Sequence, residues 1–237
     1  MARSKTAEEL ATALKETLGS RLVAFLLYGS TARGTHVTGR SDVNTLLIVD
    51  TVDEGLFAAI EPVVSAWSKG GHPAPILLSD AEWRDSADVF AIEYEDMREA
   101  HRLLAGRDPW PGIRVERGDV RRQLEHELMG KLVRLRQAYA ALHEDPKQLA
   151  RVIVGSAGGF FTMLRSVLRL AGRPTPASPA ELVRSAGALI GFAADGLAPL
   201  VQHALGGPIP RLGKGDPLAT AYLAAVAGTA AYVNRLE

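Results

Sequence analysis

Apolar residues recur at helical spacing at Leu10, Leu14 and Leu18 and stop at Gly19, which predicts an opening helix. The next stretch has a different form. Residues 22–28 (LVAFLLY) are almost continuously apolar and end at Gly29, the pattern of a strand buried on both faces. A short helical turn is expected over residues 31–34, a polar loop over 35–41, and a second strand over 43–49 (VNTLLIV). Helical periodicity returns over 53–69 through Leu56, Ala59, Ile60, Val63, Val64 and Trp67, with Pro62 as a kink point and Gly70-Gly71 as the stop. Residues 75–79 (PILLS) predict a third strand, and Ser79-Asp80-Ala81-Glu82 a cap with a short helix behind it. The alternating run 89–94 (VFAIEY) predicts a fourth strand, and 96–106 a helix closed by glycine.

Residues 107–118 hold two prolines and two glycines, Gly112 and Gly118, and beyond them the strand patterns cease. Leu124, Leu128, Leu132, Leu135 and Tyr139 mark one side of a long helix over 119–142. Further helices are expected over 149–171, over 181–204 with a break near 191–196, and over 216–236. The organisation is an α+β domain over residues 1–112, a mixed sheet with helices, followed by an all-α helical bundle over 113–237.

Composition adds exclusions. The 237 residues carry 27 lysines and arginines against 27 aspartates and glutamates, so no global positive field argues for non-specific nucleic-acid binding. With no cysteine, disulfides, thiolate metal sites and a cysteine nucleophile are ruled out. The N-terminal pattern is not that of a signal peptide, and no stretch approaches the ~20 apolar residues of a spanning helix, so no membrane partner and a cytoplasmic location are expected.

The candidate chemistry lies around the first turn. Gly29 lets the backbone approach a ligand closely, the amides after it open a helical turn that favours phosphate, and Ser30 adds a hydroxyl. Asp42 and Asn44 are two apart at a strand start, so both point to one face beside that turn. Hard cations such as Mg²⁺ take oxygen ligands of this kind near phosphates. The competing structural explanation is a strand-start cap with an Asx turn. Arg33 and Arg40 are candidate phosphate partners, with an ion pair holding the turn as the alternative for Arg33 and a solvent-facing role as that for Arg40.

The run GSTARGTHVTGRSDVN resembles the signature of the DNA polymerase β-type nucleotidyltransferase superfamily, in which a Gly-Ser turn is followed by an Asp-x-Asp or Asp-x-Glu pair on a strand. The resemblance spans residues 10–106; the helical remainder is similar in layout to kanamycin-type antibiotic nucleotidyltransferases, and the run ERGDVRRQLEHELMGKLVRLRQAY to bacterial nucleotidyltransferase-domain proteins. It implies that Gly29 and Ser30 grip a nucleoside triphosphate and that Asp42 and Asn44 hold one or two Mg²⁺ or Mn²⁺ ions. It also implies that Glu93 is the third carboxylate, activating the acceptor hydroxyl, with Glu95 on the same strand face as the fallback.

Position 44 departs from that pattern: its neutral amide offers an oxygen but no charge. Three readings follow. The first is transfer of a nucleoside monophosphate to a hydroxyl of a small molecule, protein or RNA. The second is a catalytically impaired nucleotide-binding pseudoenzyme, and the third a partner-binding module of a toxin–antitoxin-like pair. Arg121-x4-His126 also resembles a motif of small helical ribonucleases, although a basic helix generates that spacing readily.

Overall fold

The computed structural model describes residues 6–35 and 42–236. The chain divides into two compact units, Met1–Val115 and Glu116–Glu237.

The first unit is built on a four-stranded mixed sheet. Its elements are α1 (Ala7–Leu18), β1 (Leu22–Tyr28), β2 (Asn44–Val49), α2 (Glu54–Ser68), β3 (Ile76–Ser79), α3 (Asp80–Asp85), α4 (Ala91–Glu99) and β4 (His101–Gly106). The strand order is β3-β2-β1-β4, with β1 antiparallel to both β2 and β4 and β2 parallel to β3. Local chemistry sets the helix starts. Thr6 and Glu9 form a capping box at α1, Asp53 accepts from the Leu56 amide at α2, and Ser79 with Glu82 caps α3 as its sequence predicts. Helix α2 runs continuously through Pro62.

Strand alternation divides the core in two. Phe25, Leu27, Leu47 and Val49 pack with Leu10, Leu14, Leu56 and Trp67 of α1 and α2. Ala24, Leu26, Leu46 and Ile48 face the other way, onto Trp83, Tyr94 and Met97 of α3 and α4. Trp83 stacks on Tyr94 with ring centroids 4.2 Å apart, donates its indole N–H to the Pro109 carbonyl, and accepts the Tyr94 hydroxyl at its own carbonyl.

That stack explains the one exchange of element types relative to the sequence expectation. Residues 89–94 are not the fourth strand; Ala91–Glu99 is a helix, and the edge strand is His101–Gly106, where a helix was expected. Ala91, Tyr94 and Met97 are buried at helical spacing, and the packing of Tyr94 under Trp83 decides between that period and the alternation that VFAIEY also satisfies. Gly106 does not close a helix. It has φ +83°, and a Cβ there would lie 2.2 Å from the Val23 carbonyl oxygen, so it permits the close β1–β4 approach beside a bulge.

The second unit holds α5 (Arg117–Ala141), α6 (Pro146–Leu170), α7 (Pro179–Ile190), α8 (Ala198–Ala204) and α9 (Pro217–Val233). Helix α5 packs on α6 and α9 through Leu124, Leu128, Leu132 and Leu135. Gly191, in the left-handed region, ends α7 at the expected break. A polar chain threads this bundle: buried Lys131 donates to the Ser156 carbonyl (2.9 Å), and the Ser156 and Tyr222 hydroxyls bond at 2.8 Å. Burial, then the neighbouring Arg134 charge, holds the Lys131 ammonium below its usual pKa.

Candidate functional site

Strand β1 ends at Tyr28, which pairs with Asn44 of β2 on one side and with His101 of β4 on the other. The chain then turns through Gly29 at φ +76°, a conformation that L side chains rarely adopt. The Gly29 amide donates to the Ala100 carbonyl, and the turn closes with Arg33 N–H to Gly29 O (3.0 Å) and Thr35 N–H to Ser30 O (3.0 Å). The expected helical turn over 31–34 is therefore a hydrogen-bonded turn directly off the central strand.

Asn44 is brought against this turn. A Cβ built on Gly29 would sit 3.1 Å from the Asn44 side-chain nitrogen. Alternation along β2 puts Leu46 and Ile48 on the α3–α4 side of the sheet, so Asn44 shares that side. Asp42 lies two residues earlier, ahead of the strand, and is exposed. The turn, Asn44 and the end of α4 thus meet at one end of one sheet face, and Asp42 lies in the chain that leads into it. Arg40 and the loop residue His36 lie outside the described residues.

Glu93 sits on α4 and is exposed, not on a strand as expected. The change of element matters for its fallback. Two residues apart on a strand share a face, but on a helix they are rotated by about 200°. Glu95 accordingly pairs with Arg98 (3.1 Å), which also bonds the Ile113 carbonyl and lies over the Trp110 ring. Glu93 stays within electrostatic reach of the β1 terminus. The Tyr28 hydroxyl is pushed up to about 12 by burial first, then by the charges of Glu93 and Asp96.

Arg33 meets the core rather than open solvent. Its guanidinium lies 2.6 Å from Asp96 Oδ1 and donates to the Asp96 carbonyl (3.2 Å), and the two side chains are only 8% and 12% exposed. Asp96 and Tyr28 were not singled out in the sequence. Tyr28 directly precedes Gly29, which is a usable signal, whereas Asp96 is 63 positions from its partner. His101 is a further unanticipated neighbour: its Nδ1 bonds the Met97 carbonyl (2.9 Å) and its Nε2 faces the Trp110 indole N–H (2.9 Å), so the ring is fixed in orientation at both nitrogens.

Oxygen donors near this end of the sheet are the Asn44 amide and the Ser30 hydroxyl, with the Asp42 carboxylate two residues ahead of β2 and the Glu93 carboxylate exposed on α4. Among the described residues no group of three or more histidine, aspartate or glutamate side chains is placed to hold a metal ion. In the helical unit, Arg121 is ion-paired with Glu125 (3.2 Å). His126 instead lines a surface groove of about 550 Å³ with Arg122, Met129, Val133 and Arg134. Five helical positions separate Arg121 from His126, a rotation of about 140° that puts them on different sides of α5.

No protein-family model matches the chain, and no curated protein matches it by sequence. Among solved structures it is similar to spectinomycin adenyltransferase AAD(9) from Enterococcus faecialis, crystallised with ATP and spectinomycin. The TM-score is 0.57 at 14% sequence identity, covering 91% of this chain and 96% of that one. The likeness is one of fold: a nucleotidyltransferase-type mixed sheet with helices, followed by a helical part. None of the described helices is long and apolar enough to cross a membrane.

Proposed function

We propose that this chain binds a nucleoside triphosphate over the Gly29–Ser30 turn and transfers its nucleoside monophosphate to a hydroxyl group of a small acceptor molecule. The observation that carries the reading is the close approach of Gly29 to Asn44, which unites the turn with the start of β2. The similar structure, named for adenyl transfer and holding ATP with a small molecule, supports ATP as the donor and a small acceptor.

The chemistry asked of the residues is limited. The Ser30 amide and hydroxyl donate to phosphate oxygens at the opening of the turn, where backbone N–H groups favour negative charge. The acceptor oxygen attacks the α-phosphorus; the new P–O bond forms as the bond to the β-phosphate breaks, and pyrophosphate leaves. Glu93 takes the hydroxyl proton, and its exposure gives it access to an acceptor.

The donor set fits one hard divalent cation better than two. The Asp42 carboxylate and the Asn44 amide oxygen would hold Mg²⁺ or Mn²⁺, with phosphate oxygens and water as the remaining ligands. Such an ion, when bound, offsets phosphate charge during displacement. Asp96, already engaged by Arg33, is not counted among the ligands.

A second reading, nucleotide binding without transfer, is favoured by the neutral amide at position 44. One experiment decides between them: incubation with α-labelled nucleoside triphosphates, Mg²⁺ or Mn²⁺ and a panel of hydroxyl compounds, for wild type, Asp42→Ala and Asn44→Asp. Label in an acceptor with wild type, lost in Asp42→Ala, supports transfer. Binding by wild type with transfer only by Asn44→Asp would sink the active-enzyme reading. Absence of nucleotide binding in every variant would defeat both.

A further inference from the structure

The Arg33–Asp96 pair is more than a surface ion pair. Both side chains are almost fully buried, the separation is 2.6 Å, and the same guanidinium donates to the Asp96 backbone carbonyl. Burying two charges costs several kcal/mol of hydration, which their attraction only about repays. Such a pair is therefore a poor device for stability alone, and what it joins becomes the informative point. Arg33 belongs to the turn that starts at Gly29; Asp96 lies on α4, three residues and nearly one helical turn from Glu93. Gly29 is tied to the same region by its amide bond to the Ala100 carbonyl, just past the end of α4. The turn is thus fixed to the Glu93 helix at both ends, by a backbone bond at Gly29 and by a side-chain pair at Arg33.

We propose that Arg33 and Asp96 are a positioning pair that sets the Gly29–Gly34 turn against helix α4, and so fixes the phosphate-binding amides relative to the Glu93 carboxylate. The proposal rests on the nucleotide-site reading of the turn. It assigns Arg33 a role opposite to direct phosphate contact, and the two roles differ in the sign of one effect. If Arg33 is a phosphate ligand that Asp96 merely neutralises, removing the Asp96 charge releases a cation toward the phosphates and tightens nucleotide binding. If the pair positions the turn, removing either charge loosens it and weakens binding.

The test uses the full chain and the isosteric variant Asp96→Asn, with Arg33→Gln and the double variant, titrated calorimetrically with ATP and Mg²⁺. Positioning predicts that both single variants lose affinity by a similar factor, about 10-fold, and that the double variant is no worse than the weaker single one, because the two residues act as a unit. The transfer rate at saturating nucleotide falls in the same variants, since Glu93 no longer meets the acceptor in register. Tighter binding by Asp96→Asn, or additive losses in the double variant, would overturn the proposal. Amide hydrogen exchange supplies a readout independent of nucleotide. The Arg33 and Thr35 amides, bonded to Gly29 and Ser30, exchange faster in Asp96→Asn while those of β1 hold their protection. Should wild type bind no nucleotide, the nucleotide-site reading fails on its own account; unchanged exchange at Arg33 and Thr35 in Asp96→Asn would still refute the positioning pair.

Discussion

Replacing Gly29 by alanine separates the geometry of the turn from its chemistry. The backbone at Gly29 has φ +76°, and holding an L residue in the left-handed region costs about 1–2 kcal/mol. The added Cβ would also lie 3.1 Å from the Asn44 side-chain nitrogen, so Asn44 must retreat by a few tenths of an ångström. Gly71 is the control: its φ is +94° and a Cβ there meets nothing within 4 Å, so Gly71→Ala carries the backbone cost alone. All three tryptophans, Trp67, Trp83 and Trp110, lie in the first unit, so urea unfolding followed by tryptophan fluorescence reports on that unit by itself. With a slope of about 2 kcal/mol per molar urea, each variant lowers the midpoint by roughly 0.5–1 M. The two then part in calorimetric titration with ATP and Mg²⁺: Gly71→Ala binds as wild type does, and Gly29→Ala loses affinity because the turn and Asn44 no longer fit together. Equal affinity in the two variants, at matched loss of stability, would refute the argument that this contact builds the nucleotide site.

Two other glycines are expected to respond with opposite signs. Gly106→Ala drives a Cβ to 2.2 Å from the Val23 carbonyl oxygen at positive φ, a clash with backbone that cannot step aside, and costs the first unit about 3–5 kcal/mol in the same urea assay. Gly130→Ala, inside α5, meets only the mobile end of Arg134 at 3.2 Å, so helix propensity prevails and thermal unfolding of the second unit shifts upward by the equivalent of roughly 0.5–1 kcal/mol. Alkaline titration gives a further check. The Tyr28 pKa is raised from 10.0 to about 12 in the fold, so its contribution to stability is fully present below the unfolded value and is lost as pH climbs toward the folded one. Burial raises Tyr94 and Tyr222 as well, so near-ultraviolet absorbance shows several late-titrating tyrosines, and Tyr28→Phe lowers the late amplitude by the share of one; an unchanged late amplitude in that variant would contradict the burial of the Tyr28 hydroxyl.

What the sequence made legible follows the range of the physics involved. The strands at 22–28, 44–49 and 76–79 are short apolar runs between turn residues, and burial on both faces leaves that pattern little freedom. The Ser79 cap and the break near Gly191 are equally local. Residues 89–106 are not legible in this way: VFAIEY satisfies both periods, and the deciding contact, Tyr94 beneath Trp83, is tertiary. Glu93 was reached through a resemblance, and its assumed strand gave it a companion, Glu95, that the helix turns away. Arg33 illustrates the limit most clearly: four residues past Gly29 it reads either as a phosphate partner or as half of an ion pair holding the turn, and only a carboxylate 63 positions away shows where its guanidinium goes.

A nucleotide seated on the Gly29–Ser30 turn perturbs the groups that hold it. The most direct test is amide and side-chain chemical-shift mapping of the full chain during titration with a non-hydrolysable ATP analogue and Mg²⁺. The largest shifts are expected at the backbone amides of Gly29 to Gly34 and at the Asn44 side-chain amide, with saturation abolished in Asp42→Ala. Shifts confined to the cationic groove of α5, or no saturable shifts at all, would contradict that seating.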